Sequence, residues 1–148
     1  MNTIGDSKTI LEELLNSMGV EFSLDYNEET NTIEIDTDSH ALLIGKRGEN
    51  LRALQYVFNL IRSHKLEGSE FVALDVAGYK KERIQKVKRI AEEAAAEVLH
   101  NGNEKTLPPM NSYERRQVHM VMAGIPELVT KSIGDDPNRS IVISKRDQ

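Results

Sequence analysis

Ile44-Gly45-Lys46-Arg47-Gly48 is the stretch on which the reading of this chain turns. Glycine carries no Cβ, so two glycines three positions apart let a sugar-phosphate backbone approach the main chain closely. Ahead of the loop, Ala41 to Ile44 form a short apolar stretch. Behind it, Leu51, Leu54, Val57, Phe58 and Ile61 recur at helical spacing. The loop therefore joins two helices, and the one beginning near Glu49 aims its free N–H groups and the positive end of its dipole at the glycines. Lys46 and Arg47 add two charges at the same spot. These features favour an anion.

Working outward, Ile10, Leu11, Leu14, Leu15 and Met18 share one helix face, with Ser7 or Asp6 as the expected cap and Gly19 as the stop. Val20, Phe22, Leu24 and Tyr26 then alternate with polar residues. Turn chemistry follows at 27–31, and Ile33 and Ile35 alternate again, which predicts a hairpin. Phe71 to Val76 reads as a buried strand. The order so far is α-β-β-α-α-β. From Lys80 a long helix is expected to about Leu99, with Ile84, Val87, Ile90, Ala94 and Val98 as its inner stripe. Leu107-Pro108-Pro109 breaks any helix. Ser112 is placed to cap the next one, which Gly124-Ile125-Pro126 stops. Leu128 to Ile133 and Ser140 to Ser144 flank the turn residues 134–138, predicting a final hairpin.

At 148 residues, 39% hydrophobic and 29% charged, the chain holds one ordinary domain or two small ones. The absence of cysteine excludes disulfides, thiolate metal sites and a cysteine nucleophile. No apolar run approaches the roughly 20 residues needed to cross a bilayer, and the first residues lack a leader pattern, so a cytoplasmic protein with no membrane span is expected. The net charge of −5 is unevenly spread. Residues 1–44 hold ten acidic side chains against Lys8 alone, a net of −9, whereas residues 45–148 hold eighteen basic and fourteen acidic ones, a net of +4. The change of sign begins at the glycine loop. No nucleophile with a base, metal cluster or paired carboxylates assembles in the pattern, and there is no G-x-x-x-x-G-K-[ST] phosphate loop. His40, His64 and His100 are scattered, and Asp135-Asp136 read as turn chemistry. The expectation is a non-enzyme with no cofactor and no metal.

Within that element order, and with two basic residues at its centre, Gly45-Lys46-Arg47-Gly48 resembles the loop of the KH domain family in its prokaryotic type II arrangement. The resemblance implies a groove in which the loop clamps about four unpaired nucleotides. By position, Gly45, Lys46, Arg47 and Gly48 would be the clamp, Ile44 and Leu51 an apolar platform, and Arg52 a further phosphate contact. Downstream, Arg115 and His119 lie four residues apart on one helix face with Arg116 adding charge beside them, a spacing that predicts a joint hold on one phosphate or nucleotide. The run from Leu107 to Arg116, continued by His119-Met120, resembles the signature of the R-3-H domain family. Thr130, Ser132, Gly134, Pro137, Arg139 and Ile141-Val142-Ile143 fit that family's terminal hairpin, with Lys131 where an acidic residue is expected.

A KH domain followed by R-3-H is the arrangement of the bacterial Jag or KhpB family, the SpoIIIJ-associated proteins. Longer members carry an additional N-terminal domain with no counterpart in this sequence. The implied class is α+β: a type II KH domain over 1–78, then over 79–148 a small α/β R-3-H domain of long helix, short strand, helix and terminal hairpin. The implied function is binding of single-stranded RNA, with single-stranded DNA as the other candidate, in an RNA chaperone or post-transcriptional regulator linked to cell elongation or division. A smaller KH-domain protein is the implied partner, and a homodimer is a further expectation. The rival reading is a scaffold that docks a partner KH protein or membrane-insertion machinery, for which the acidic first 44 residues would suit a basic partner. Lys80, Lys81, Arg83, Lys86, Lys88 and Arg89 crowd the helix end where the macrodipole disfavours cations, which predicts a basic ramp following a phosphate backbone between the two modules. Rings for base stacking are few, and Tyr56, Tyr79 and Tyr113 are the candidates.

Overall fold

The computed structural model describes residues 4–147, and its elements follow the expected α-β-β-α-α-β order. Helix α1 (Ile4–Ser17) is followed by strands β1 (Ser23–Asn27) and β2 (Thr32–Asp36), helix α2 (His40–Ile44), a 3₁₀ turn at Lys46–Gly48, helix α3 (Glu49–Lys65) and strand β3 (Ala73–Val76). The sheet runs β1-β2-β3, antiparallel between β1 and β2 and parallel between β2 and β3. Its register lines up Tyr26, Ile33 and Leu74 in one cross-strand row and Leu24, Ile35 and Val76 in the next. These rows join Leu11, Leu15, Leu43, Leu51, Leu54 and Phe58 of the three helices in one core. Fully burying each such aliphatic side chain contributes about 1.5–3 kcal/mol.

Ser7 does not cap α1, because the helix already includes Ile4. It is buried instead and accepts a hydrogen bond from Arg62 Nε at 2.8 Å. Arg62 also donates from Nη1 to Asn59 Oδ1 and to the Glu70 carbonyl, and its guanidinium lies 5.5 Å from the Phe58 ring centroid. Burial pushes its pKa below the ordinary arginine value, with Tyr26 acting in the opposite sense. One arginine thus ties α3 to α1 and to the segment before β3. The third strand starts two residues later than the apolar run predicts, and Phe71 is exposed. Along the outer edge of β3, α3 supplies most of the missing partners. Asn59 Oδ1 accepts from Val72 N, Gln55 Oε1 from Leu74 N, and Asp75 Oδ1 from Val76 N.

The described residues fall into two units divided between Lys80 and Lys81. Helix α4 (Tyr79–Asn101) is followed by β4 (Lys105–Thr106), α5 (Ser112–Met122), β5 (Leu128–Ile133) and β6 (Ser140–Lys145). The second sheet is antiparallel in the order β4-β6-β5. The inner stripe of α4 is Val87, Ala91, Ala94, Ala95 and Val98, while Ile84 and Ile90 are only partly buried. Small alanines let Val118, Met122, Ile141 and Ile143 pack closely against the helix axis. The cap of α5 is Asn111, not Ser112. Asn111 Oδ1 accepts from Glu114 N while Glu114 Oε2 accepts from Asn111 N, a reciprocal capping box.

Candidate nucleic-acid interface

Gly45 adopts φ 71°, ψ −175° and Gly48 φ 77°, ψ 14°, with Arg47 between them at φ 55°, ψ 27°. The first conformation is open essentially to glycine alone, and the third is strained for a residue with a Cβ. Close neighbours hold the loop in this shape. A Cβ on Gly45 would lie 2.5 Å from Asn50 Cγ, and one on Gly48 2.8 Å from Cε2 of Tyr79. Asn50 Nδ2 donates to the Leu42 carbonyl at 2.8 Å, tying the first turn of α3 back to α2. No side chain caps α3, whose N-cap is Gly48; the Glu49 amide donates to the Lys46 carbonyl, and the amides that follow it, with the helix dipole, remain directed at the loop.

Lys46 is exposed. Arg47 is partly buried, its side chain 22% exposed, and its Nη2 lies 3.7 Å from Glu49 Oε1, too far for a hydrogen bond. Arg52 is exposed on the first turns of α3. Ile44 is partly buried against the core. Leu51 departs from expectation: at 1% exposure it is sealed among the core residues and offers no surface to a base. Of the rings, Tyr79 packs against Gly48, whereas Tyr56 is 69% exposed. Asn50 and Tyr79 escaped the sequence reading as loop supports. A polar residue just after a glycine loop was a signal for the first, but no local pattern marks the second.

The expected basic ramp is thinner than its sequence. Lys80 is half-buried, donates from Nζ to Gln55 Oε1 at 2.6 Å, and has its pKa pushed down by burial against a smaller opposing effect of Asp75. Arg83 Nε donates to Glu114 Oε1 at 2.8 Å, an ion pair in which the carboxylate is almost fully enclosed. Lys81, Lys86 and Arg89 remain exposed.

On α5 the spacing of Arg115 and His119 does not produce a shared anion site. Arg115 is 8% exposed, and its Nη1 donates to the Met110 carbonyl at 2.6 Å and to Asp136 Oδ1 at 3.2 Å. The ring of His119 turns onto β5, with Nδ1 2.6 Å from Thr130 Oγ1 and Nε2 3.5 Å from Ser132 Oγ. Both residues therefore brace the terminal hairpin against α5. Arg116 alone of the three predicted residues projects freely to solvent. Asp136, Thr130 and Ser132 are the partners that sequence spacing could not supply.

Among the described residues no group of three or more histidine, aspartate or glutamate side chains is arranged to hold a metal. No helix there is long and apolar enough to cross a membrane. Residues 8–73 match the family model described as KhpA/KhpB, KH domain, and residues 85–145 match that of the R-3-H domain. Relatives include the RNA-binding protein KhpB of Lactiplantibacillus plantarum, 35% identical over 126 residues, which cover 85% of this chain and 39% of that protein. The RNA-binding protein KhpB of Clostridium symbiosum is 33% identical over 130 residues, covering 86% and 59%, and that of Bacillus subtilis 28% identical over 150 residues, covering 99% and 72%. The chain therefore spans 39% and 59% of the length of the first two. With a KhpA/KhpB-type KH domain followed by an R-3-H domain, and with KhpB proteins aligned across both, the chain belongs to the KhpB family.

Proposed function

We propose that this chain binds single-stranded RNA, with the loop Gly45-Lys46-Arg47-Gly48 as the clamp, Ile44 at its apolar edge and Arg52 beside it, and with Arg116 as the phosphate contact of a second module. The modules are assigned to residues 1–78 and 79–148. One observation carries the reading: a two-glycine loop with Gly45, Arg47 and Gly48 at positive φ meets the start of α3, which no side chain caps, beside Lys46 and Arg47. Such a start is a ready-made phosphate site. The relatives' name, RNA-binding protein, supports the same ligand. The cellular role that follows is that of a cytoplasmic RNA chaperone or post-transcriptional regulator.

Anisotropy of a labelled single-stranded RNA, titrated over a range of salt, tests the clamp. Each phosphate neutralised on a single strand contributes about 0.7 to the slope of log K against log salt, so Lys46→Ala with Arg47→Ala should flatten it by about 1.4. Absence of binding at low salt, or an unchanged slope, refutes the assignment. An unlabelled DNA of the same sequence, added as competitor, ranks the two nucleic acids.

A second reading rests on Tyr56, Val57 and Leu60, which leave an exposed apolar strip on α3. It assigns that strip to a protein contact, with a smaller KH-domain protein or a second copy of the chain. Sedimentation of the protein alone tests the second copy. A dimer dispersed by Leu60→Glu supports it, and a monomer at all concentrations removes the homodimer.

A further inference from the structure

We infer that the outer face of α5 is a base-stacking site for an unpaired nucleotide, with Tyr113 as the ring and Arg116 as its phosphate contact. This rests on the RNA-binding reading above and locates a contact that Arg115 and His119 do not make. The helix sorts its residues sharply. Glu114, Arg115, Val118 and Met122 are buried, whereas Tyr113 is 61% and Met120 62% exposed, with Arg116 exposed between them. Positions 113, 116 and 120 fall on one face at three- and four-residue spacing.

Charge on this helix is equally sorted. Arg115 is answered by Asp136, and Glu114, the only acid of α5, is paired with Arg83. The outer face is left with a flat ring, one cation and a thioether, and no carboxylate of its own. Side chains three apart on a helix have Cβ atoms about 5–6 Å apart, so one nucleotide can lay its base on the Tyr113 ring while its phosphate meets Arg116. The arginine geometry suits phosphate. A flat ring accepts any base, so the site discriminates single strands from duplexes, whose base faces are hidden, and discriminates weakly among sequences.

The chain contains no tryptophan, so Tyr113→Trp installs a unique fluorophore on this face. Titration with mixed-sequence single-stranded RNA should quench the indole, with the midpoint seen by anisotropy of the labelled RNA, and the same RNA as a duplex should not. Tyr113→Ala should weaken single-strand binding by about 5- to 150-fold with unchanged helicity, and Tyr113→Phe should retain it. Bound RNA with an unquenched indole, or unchanged affinity in folded Tyr113→Ala, overturns the stacking site while leaving the RNA reading intact. If the parent chain binds no RNA at low salt, both fall. An indole emission that changes with protein concentration alone makes this face a protein contact and also overturns the inference.

Discussion

Replacing Gly45 by alanine strikes the loop at its most constrained residue. At φ 71°, ψ −175° a side-chain-bearing residue is strained by about 1–3 kcal/mol. The added Cβ would also lie 2.5, 2.7 and 2.9 Å from Cγ, Nδ2 and Cβ of Asn50. Because Cβ of Asn50 is fixed to α3, the amide must swing away and surrender its bond to the Leu42 carbonyl, at a cost of about 0.5–1.5 kcal/mol. The total for Gly45→Ala is about 1.5–4.5 kcal/mol. Asn50→Ala alone should cost only the hydrogen-bond share. In the double variant that bond is lost once, so the double should be less destabilised than the sum by about 0.5–1.5 kcal/mol. Amide hydrogen exchange at Ile33 and Ile35, in the central strand of the first sheet, reads the opening of that unit. A change below about 0.5 kcal/mol in Gly45→Ala would refute the backbone argument, and strict additivity would refute the contact with Asn50.

Two further perturbations probe other parts of the molecule. Glu114→Ala removes half of the capping box and leaves the charge of Arg83 without this carboxylate. It should cost about 3–5 kcal/mol in urea unfolding, and adding Arg83→Met should recover much of that; a double variant no more stable than the single one contradicts the pairing. Lys80 has a folded-state pKa lowered by burial, while the unfolded chain keeps the ordinary value. Between the two values the unfolded state binds more protons, so stability rises with pH across that alkaline window. The stability of the parent relative to Lys80→Met should therefore climb through the window and stay flat below it. A relative stability that falls with rising pH would invert the sign and exclude the burial effect.

What the sequence made legible was local. Residues 51–61 announce α3 because their apolar spacing is helical, and the glycine loop announces itself because glycines and cations stand side by side. Where distant side chains decide, the reading stops. Leu51 obeys the same periodicity whether it faces a base or the core, and the packing of β2 and β3 places it in the core. Spacing puts Arg115 and His119 on neighbouring positions of α5, yet Asp136, 21 residues downstream, and Thr130, 11 residues downstream, determine where they point. Arg83 reads in the sequence as one member of the basic ramp, but Glu114, 31 residues later, pairs with it and takes it largely out of solvent. The late start of β3 has a comparable origin, since Asn31 Nδ2 bonds the Phe71 carbonyl from 40 residues away.

Asn59, Gln55 and Asp75 occupy the outward amides of Val72, Leu74 and Val76. Since β3 is a border strand of its sheet, an incoming extended peptide finds those donors already engaged. Strand addition on that flank would first have to break three side-chain bonds, two of them from residues rooted in α3. Open edges are how sheets polymerise and how they capture extended tails. Growth of this sheet by backbone pairing is therefore directed to β1, at its opposite border, and the β3 flank resists fibre-like stacking.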